Sequence, residues 1–288
     1  MRTVLKYAFA IAAAAISAAA DTVNSGTRFA EEALMPFVER GELPGAISVF
    51  YNDGVQEVAC VGYADIAAKR PITMDDAFMQ CSQTKGFCGV TIAMLVEEGK
   101  ISLDDPVSKY LPEFKTLWVQ ESDKDGVKKL VKAKNTLTVR MVLNHTGGFP
   151  FEIPAKKFTI PGGGWSGGMP LRSVAATAAA MPLRFEPGTK SLYSNTGIDI
   201  GAAVVETVTG KKWEVFLKER VLDPLGMTSS SFWPTDKQIA EKIELYKYKE
   251  NVLSNYTKVI KNNKKVIYHA HSTEEDFRNS FKFSNQIA

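Results

Sequence analysis

Cysteine and histidine are scarce. The 288 residues hold three cysteines, Cys60, Cys81 and Cys88, and three histidines, His145, His269 and His271. Three thiols cannot all pair within one chain, so no disulfide framework is expected even in an oxidising compartment. His269 and His271 stand two apart without further clustered ligands, which gives no basis for a zinc site, and no metal or cofactor is expected. The net charge is only +3. No clustered basic face marks a nucleic-acid partner. Glycine and proline disappear in one region: Thr235 to Ala288 contains neither, although 21 glycines precede it, and lysine and asparagine dominate there instead.

The first twenty residues read as an address. Arg2 and Lys6 form a short basic region, Tyr7 to Ala20 is an apolar alanine-rich run, and Ala18-Ala19-Ala20 before Asp21 is a small-residue cleavage site. A spanning helix needs about 20 strongly apolar residues, more than this run offers. A buried N-terminal helix is the alternative reading, which the basic flank and cleavage site disfavour. Removing residues 1–20 lowers the charge to +1, since Arg2 and Lys6 are the only charges there. The expected mature chain is secreted or periplasmic, without a stable membrane anchor, and long enough for one large domain or two interleaved lobes. The organisation expected is a leader at 1–20, a main domain at 21–234 and a divergent tail at 235–288.

Arg28 to Arg40 has helical periodicity, with Phe29, Leu34, Phe37 and Val38 on one side. Ala46 to Tyr51 and Val55 to Tyr63 read as two strands around the turn Asn52-Asp53-Gly54. A helix followed by an antiparallel hairpin argues for an α+β layer structure. Ser82 to Gly99 turns helical, with Phe87, Val90, Met94 and Leu95 inward. Gly86 and Gly89 each weaken a helix by about 1 kcal/mol relative to alanine, which predicts close approach of another backbone there. A short helix is expected from Val107 to Leu111. Trp118 to Asn135 is charged and reads as an exposed loop or frayed helix. Helices are expected at Val139 to Leu143, Ser173 to Ala180, Gly197 to Val208 and Trp213 to Leu222. The cluster Gly162-Gly163-Gly164 with Trp165 reads as a functional loop. It has no Lys-Ser/Thr ending that would make a phosphate cradle. Tyr256 to His269 has the makings of a hairpin around Asn262-Asn263.

The chemistry concentrates in Ser82-Gln83-Thr84-Lys85 and Tyr193-Ser194-Asn195. On a helix, residues i and i+3 share a face with β-carbons about 5–6 Å apart. A serine in the first turn also meets unpaired N–H groups and the positive dipole end, which favour developing negative charge. Its own N–H then serves as half of an oxyanion hole. Lys85, partly desolvated one turn in, is the candidate base, and Tyr193 a phenol able to relay the same proton. Each residue alone has a plainer role: Ser82 a helix cap, Lys85 a solvated surface residue, Tyr193 a half-buried core aromatic and Asn195 a turn former. Cys81, beside Ser82 but with no histidine near it in sequence, reads as a small buried thiol.

Order and flanking sequence favour the chemical reading. Leu43-Pro44-Gly45-Ala46, Gly62-Tyr63-Ala64-Asp65, Glu98 to Val107, Leu143 to Gly148, Phe185-Glu186-Pro187-Gly188-Thr189, Tyr193 to Gly197 and Pro224-Leu225-Gly226-Met227 together resemble the serine β-lactamase and penicillin-binding-protein superfamily. The likeness is to its class C-type branch, which also holds D-Ala-D-Ala peptidases and esterases, and covers about Phe29 to Pro234. It implies an antiparallel sheet flanked by helices, with an inserted, mostly helical lobe. Carried over, it makes Ser82 the acylated nucleophile, Lys85 its deprotonating neighbour, Tyr193 the acid/base for leaving group and water, and Asn195 a partner of substrate or Lys85. The implied partner is a small-molecule or peptide substrate.

The resemblance fails in two places. Gly147 stands where the family turn carries serine. No glycine follows Gly226, so the Lys/His-x-Gly strand of the family is absent in its usual form, and the expectation is a sheet left incomplete by a lost or replaced C-terminal part. His269-Ala270-His271 imitates that motif poorly, since a side chain stands where glycine lets substrate approach. Loss of one oxyanion donor lowers rates by roughly 10²–10³. A serine hydrolase of β-lactam, peptide or ester type is therefore the expected function, with a catalytically inactive or peptidoglycan-type binding protein as the alternative.

Overall fold

The computed structural model describes residues 29–52, 55–78, 80–122, 128–153, 170–232, 243, 246–249 and 252–255. The leader, the Gly162–Gly164 loop, the Tyr256–His269 hairpin and His269-Ala270-His271 lie outside them. The architecture is α+β. The described residues fall into two compact units, one from the flanks of the chain before residue 80 and after Asp223, the other from the stretch between.

The first unit opens with helix α1 (Phe29–Glu39). Strands β1 (Gly45–Asn52) and β2 (Val55–Asp65) pair antiparallel from Gly45 opposite Gly62 to Asn52 opposite Val55, and β3 (Arg70–Pro71) adds a short third strand along β2. The hairpin expected from the sequence thus forms. The apolar side expected of α1 is not sealed: Phe29 and Phe37 are exposed and no residue of the helix is fully buried. Pro36 within α1 removes one donor from its hydrogen-bond ladder. Buried Asp76 pairs with Arg70 and accepts from the Thr73 amide at 2.7 Å, closing the turn after β3.

The second unit is mostly helical. A 3₁₀ turn (Cys81–Gln83) leads into α2 (Thr84–Glu97). The face that α2 buries is Thr84, Cys88, Thr91, Ile92 and Leu95. This corrects the expected register by about a third of a turn, since Val90 is exposed. Thr91 explains the miss: it accepts a hydrogen bond from the Trp213 indole at 3.0 Å and donates to the Cys88 carbonyl at 2.9 Å, so a polar residue sits in the core fully satisfied. The close approach expected at Gly86 and Gly89 is also absent, as a β-carbon on either meets nothing within 4 Å.

Two 3₁₀ turns (Val107–Lys109 and Pro112–Lys115) replace the single helix expected there, with Pro112 opening the second turn. The charged segment after Trp118 is neither loop nor helix. Strands β4 (Trp118–Ser122) and β5 (Lys128–Lys132) pair antiparallel. Val119 is buried, and β4 is fastened by the Leu183 amide donating to Trp118 O at 2.7 Å and the Gln120 amide to Leu183 O at 2.9 Å. All three lysines in β5 lie exposed, which gives the stretch its loop-like composition.

Helices α3 (Val139–Leu143), α4 (Leu171–Ala179), α5 (Asn195–Thr209) and α6 (Trp213–Leu217) complete the unit, α6 running on as a wider turn (Lys218–Leu222). Helix α5 is buried on all sides from Asn195 to Glu206 and packs against α2, α3, α4 and α6. Its glycines permit this: a β-carbon on Gly197 would lie 2.8 Å from the Val142 carbonyl, and one on Gly201 3.3 Å from Cys88 Sγ. The chain then returns to the first unit, where β6 (Tyr246–Lys249) and β7 (Val252–Asn255) form a hairpin that the sequence reading did not anticipate. The Tyr246 hydroxyl accepts from the Ile66 amide at 2.8 Å. Among the described residues no helix is long and apolar enough to cross a membrane.

Two glycines should respond oppositely to alanine. Gly148 has φ +85° and its β-carbon would lie 2.5 Å from Phe185 O, so Gly148→Ala should cost about 2–4 kcal/mol. Gly89, helical with open space around it, should gain about 0.5–1 kcal/mol on the same change. Urea unfolding midpoints of the two variants read the difference.

Candidate active site

Ser82, Lys85, Tyr193 and Asn195 all belong to the second unit. Ser82 lies in the 3₁₀ turn rather than at the cap of α2, and Lys85 occupies the first turn of that helix. The Lys85 ammonium donates to Ser82 Oγ at 3.1 Å and stands 5.0 Å from the centre of the Tyr193 ring. The serine follows Cys81, whose φ of +46° is left-handed. A non-glycine residue there costs of order 1–3 kcal/mol, so packing elsewhere must hold the turn. Cys81 is exposed, correcting the buried thiol expected; Cys88 is the buried one.

Tyr193 comes from the segment leading into α5. Ser194 caps that helix, accepting from the Gly197 amide at 3.0 Å while donating to Pro150 O at 2.7 Å. The Asn195 amide donates to Phe151 O at 2.9 Å. The tyrosine ring stacks on Phe151 at 6.0 Å and tilts against His145 at 4.6 Å. Partial burial pushes the phenol up, but hydrogen bonds shared with Ser82 and Lys85, together with the ammonium charge, outweigh it and hold Tyr193 below its ordinary range. Three reactive groups thus meet in one partly exposed cluster, with Tyr193 45% accessible.

His145, in sequence only part of a family landmark, helps build the site. It sits in the turn after α3 at φ +64°. Its carbonyl accepts from the Leu192 amide at 2.9 Å, and its Nδ1 from the Ser194 amide at 3.3 Å. Accepting at Nδ1 puts the proton of the neutral ring on Nε2. Burial and the Lys85 charge both hold the imidazole below its ordinary range, so it stands neutral against the tyrosine. At Gly147, the departure from the family turn, a side chain would press on Phe149 and Leu137 at about 3.1–3.2 Å.

Asn195 is the first residue of α5. It is only 6% accessible, and its Oδ1 has no hydrogen-bond partner among the described residues. One turn further along α5, Asp199 is equally enclosed and likewise has an Oδ1 without a partner there. Desolvation raises its carboxyl well above the ordinary range, opposed by the Lys85 charge and reinforced by Glu152. Nothing in the sequence reading singled out Asp199. An acidic residue amid the otherwise uncharged Ile198 to Val205 was the available signal. No group of three or more His, Cys, Asp and Glu side chains suited to a metal occurs among the described residues.

Comparison with known proteins fits this geometry. A model of the Beta-lactamase family matches residues 30–257, reaching past Pro234 where the sequence resemblance stopped. Protein flp of Staphylococcus aureus (strain COL) is 28% identical over 200 residues, which cover 69% of this chain and 37% of that protein. The chain thus matches little more than a third of this relative's length. Among solved structures, unliganded simvastatin synthase (LovD) from Aspergillus terreus superposes with a TM-score of 0.64 at 23% identity, over 81% of this chain and 62% of its own. A penicillin binding protein from Bacillus halodurans gives 0.58 at 23% identity, over 77% and 63%. These two neighbours speak to the fold, an α+β arrangement of β-lactamase and transpeptidase type. With the family match spanning most of the chain, from α1 through β7, the chain belongs to the beta-lactamase family.

Proposed function

We propose that this protein is an exported serine hydrolase that cleaves amide or ester bonds through an acyl-enzyme on Ser82. The observation that carries the reading is the 3.1 Å contact between Lys85 Nζ and Ser82 Oγ beside the Tyr193 ring. Ser82 Oγ attacks the carbonyl carbon as its proton passes to Lys85, which acts after its ammonium has given up a proton to solvent. Collapse of the tetrahedral adduct breaks the C–N or C–O bond, and the leaving group takes a proton from Tyr193, which is resupplied from Lys85. Water then attacks the acyl carbon, giving a proton to Tyr193 as Tyr193 passes its own to Lys85; the bond from Ser82 Oγ to the acyl carbon breaks, and Lys85 returns the proton to Ser82 Oγ. His145, neutral and tilted against the phenol, holds the ring over the lysine. A phenol held below its ordinary range exchanges a proton more readily near neutral pH, which suits this shuttle.

The substrate class we propose is a β-lactam, a D-Ala-D-Ala-type peptide or a small ester. Membership of the family supports each of the three. Turnover of p-nitrophenyl esters against cephalosporins discriminates between them.

A fluorophosphonate or fluorescent penicillin should label the native protein, and Ser82→Ala should abolish the label. Folded native protein that resists both reagents would overturn the reading in favour of a non-catalytic binding protein. Tyr193→Phe should retain labelling but lower turnover by about 10²–10⁴. In the same variant, phenolate absorbance against pH should lose one early transition. An unchanged titration would remove Tyr193 from the proton path.

A further inference from the structure

The interior of α5 holds an arrangement that ordinary hydrogen bonding leaves unresolved. Asn195 and Asp199 are four residues apart, so they share a helix face with β-carbons about 5–6 Å apart. Both are more than nine-tenths buried, and in both the Oδ1 atom is occluded and has no partner among the described residues. An amide oxygen and an ionised carboxylate are both acceptors and cannot satisfy one another. Enclosed polar atoms in folded proteins nearly always find partners, because each orphan costs about 1–3 kcal/mol. One proton on the carboxyl turns the mismatch into a donor and an acceptor.

The surroundings favour that proton. Asp199 is fully enclosed, with Cys88 on α2 beside it and Glu152 adding like charge. Cys88 is itself anchored against α5, its Sγ 3.6 Å from Ile198 O. Lys85 is the opposing cation. Its ammonium is already engaged with Ser82 Oγ and the Tyr193 ring, while neutral His145 lies beyond the tyrosine.

We propose that Asp199 is a positioning residue which works as an uncharged acid, donating its carboxyl proton to Asn195 Oδ1 and so fixing the asparagine amide with its NH₂ group free for substrate or Lys85. The assignment rests on the Ser82 acyl-enzyme reading for its catalytic consequence. Because Oδ1 and Nδ2 lie on opposite sides of one planar amide, anchoring the oxygen inside α5 orients the nitrogen. Ionisation of Asp199 removes the donor and puts an anion behind the site, where it draws the Lys85 ammonium away from Ser82.

The test uses the full chain, fluorophosphonate labelling of Ser82 as the rate measurement, and three proteins: native, Asp199→Asn and Asp199→Leu. Asparagine is uncharged at every pH and keeps a donor, so Asp199→Asn should fold, label within about threefold of native at neutral pH, and hold its rate to higher pH than native. Asp199→Leu has no donor and should label at least tenfold more slowly at every pH. Native-like rates in Asp199→Leu, equal slowing in both variants, an unshifted alkaline limb in Asp199→Asn, or failure of Asp199→Asn to fold would each overturn the proposal. Infrared difference spectra of native against Asp199→Asn give a readout free of activity. A protonated carboxylic acid band at neutral pH, lost in the variant, is expected, and its absence would overturn the proposal. A protein that shows this band but never labels at Ser82 would overturn the hydrolase reading and leave the buried acid standing.

Discussion

Helix α5 must meet protein on every side, and the site inherits its geometry from that constraint. From Asn195 to Glu206 the helix is buried, with α2, α3, α4 and α6 packed around it. Small residues make this possible, because Gly197 and Gly201 face the Val142 carbonyl and the Cys88 thiol at distances no side chain allows without displacement. A helix enclosed on all sides cannot shift without opening a cavity, and cavities left by large core residues cost several kcal/mol. Its N-terminus is therefore a fixed point. Tyr193, two residues before it, is delivered to the same position relative to α2, which carries Lys85.

The fixed point is tied down twice more. Pro150 and Phe151 carbonyls accept from the Ser194 hydroxyl and the Asn195 amide, so the segment after Gly148 is bound to the start of α5. Upstream, His145 uses both its backbone and its ring nitrogen to hold Leu192 and Ser194. These bonds satisfy the N–H groups that a helix start leaves open. They also carry the left-handed backbone at His145 and the positive-φ Gly148. The strained positions, Cys81 and His145, flank the two ends of the Ser82–Tyr193 cluster, and the packing of α2 and α5 holds them there.

Much of this was legible in sequence, and the failures have physical causes. The β1–β2 hairpin was visible because two apolar runs flank a turn-forming triplet. Helix α5 was visible through its long apolar and small-residue stretch. The Ser82–Lys85 pairing followed from helical spacing, and the approach of Tyr193 from the family likeness. The β4–β5 hairpin was missed because the lysines of β5 hide strand pairing behind a loop-like composition. The buried face of α2 was misjudged because Thr91 is polar by type and enters the core through its bond to the Trp213 indole. The helix cost of Gly86 and Gly89 predicts a close contact, and the space around them supplies none. His145 and Asp199 act through atoms that only tertiary structure brings together, which no spacing rule encodes.

Among the described residues, the occluded side-chain atoms of α5 that lack a partner fall in its first turn and a half, at Asn195 and Asp199. From Ile200 to Val205 every residue is apolar or glycine and fully buried. That division has an energetic logic. Two occluded acceptors left unpaired would together cost several kcal/mol, against a net stability of roughly 5–15 kcal/mol for a whole domain. A helix can tolerate such a pair only where the following turns are securely packed, or where a proton removes the mismatch. The Asn195–Asp199 pair meets both conditions, as it precedes the best-packed part of the helix and lies where burial favours the neutral acid. The buried acid is thus compatible with a stable fold, and its position one turn behind Asn195, within charge reach of Lys85, brings it to bear on the site.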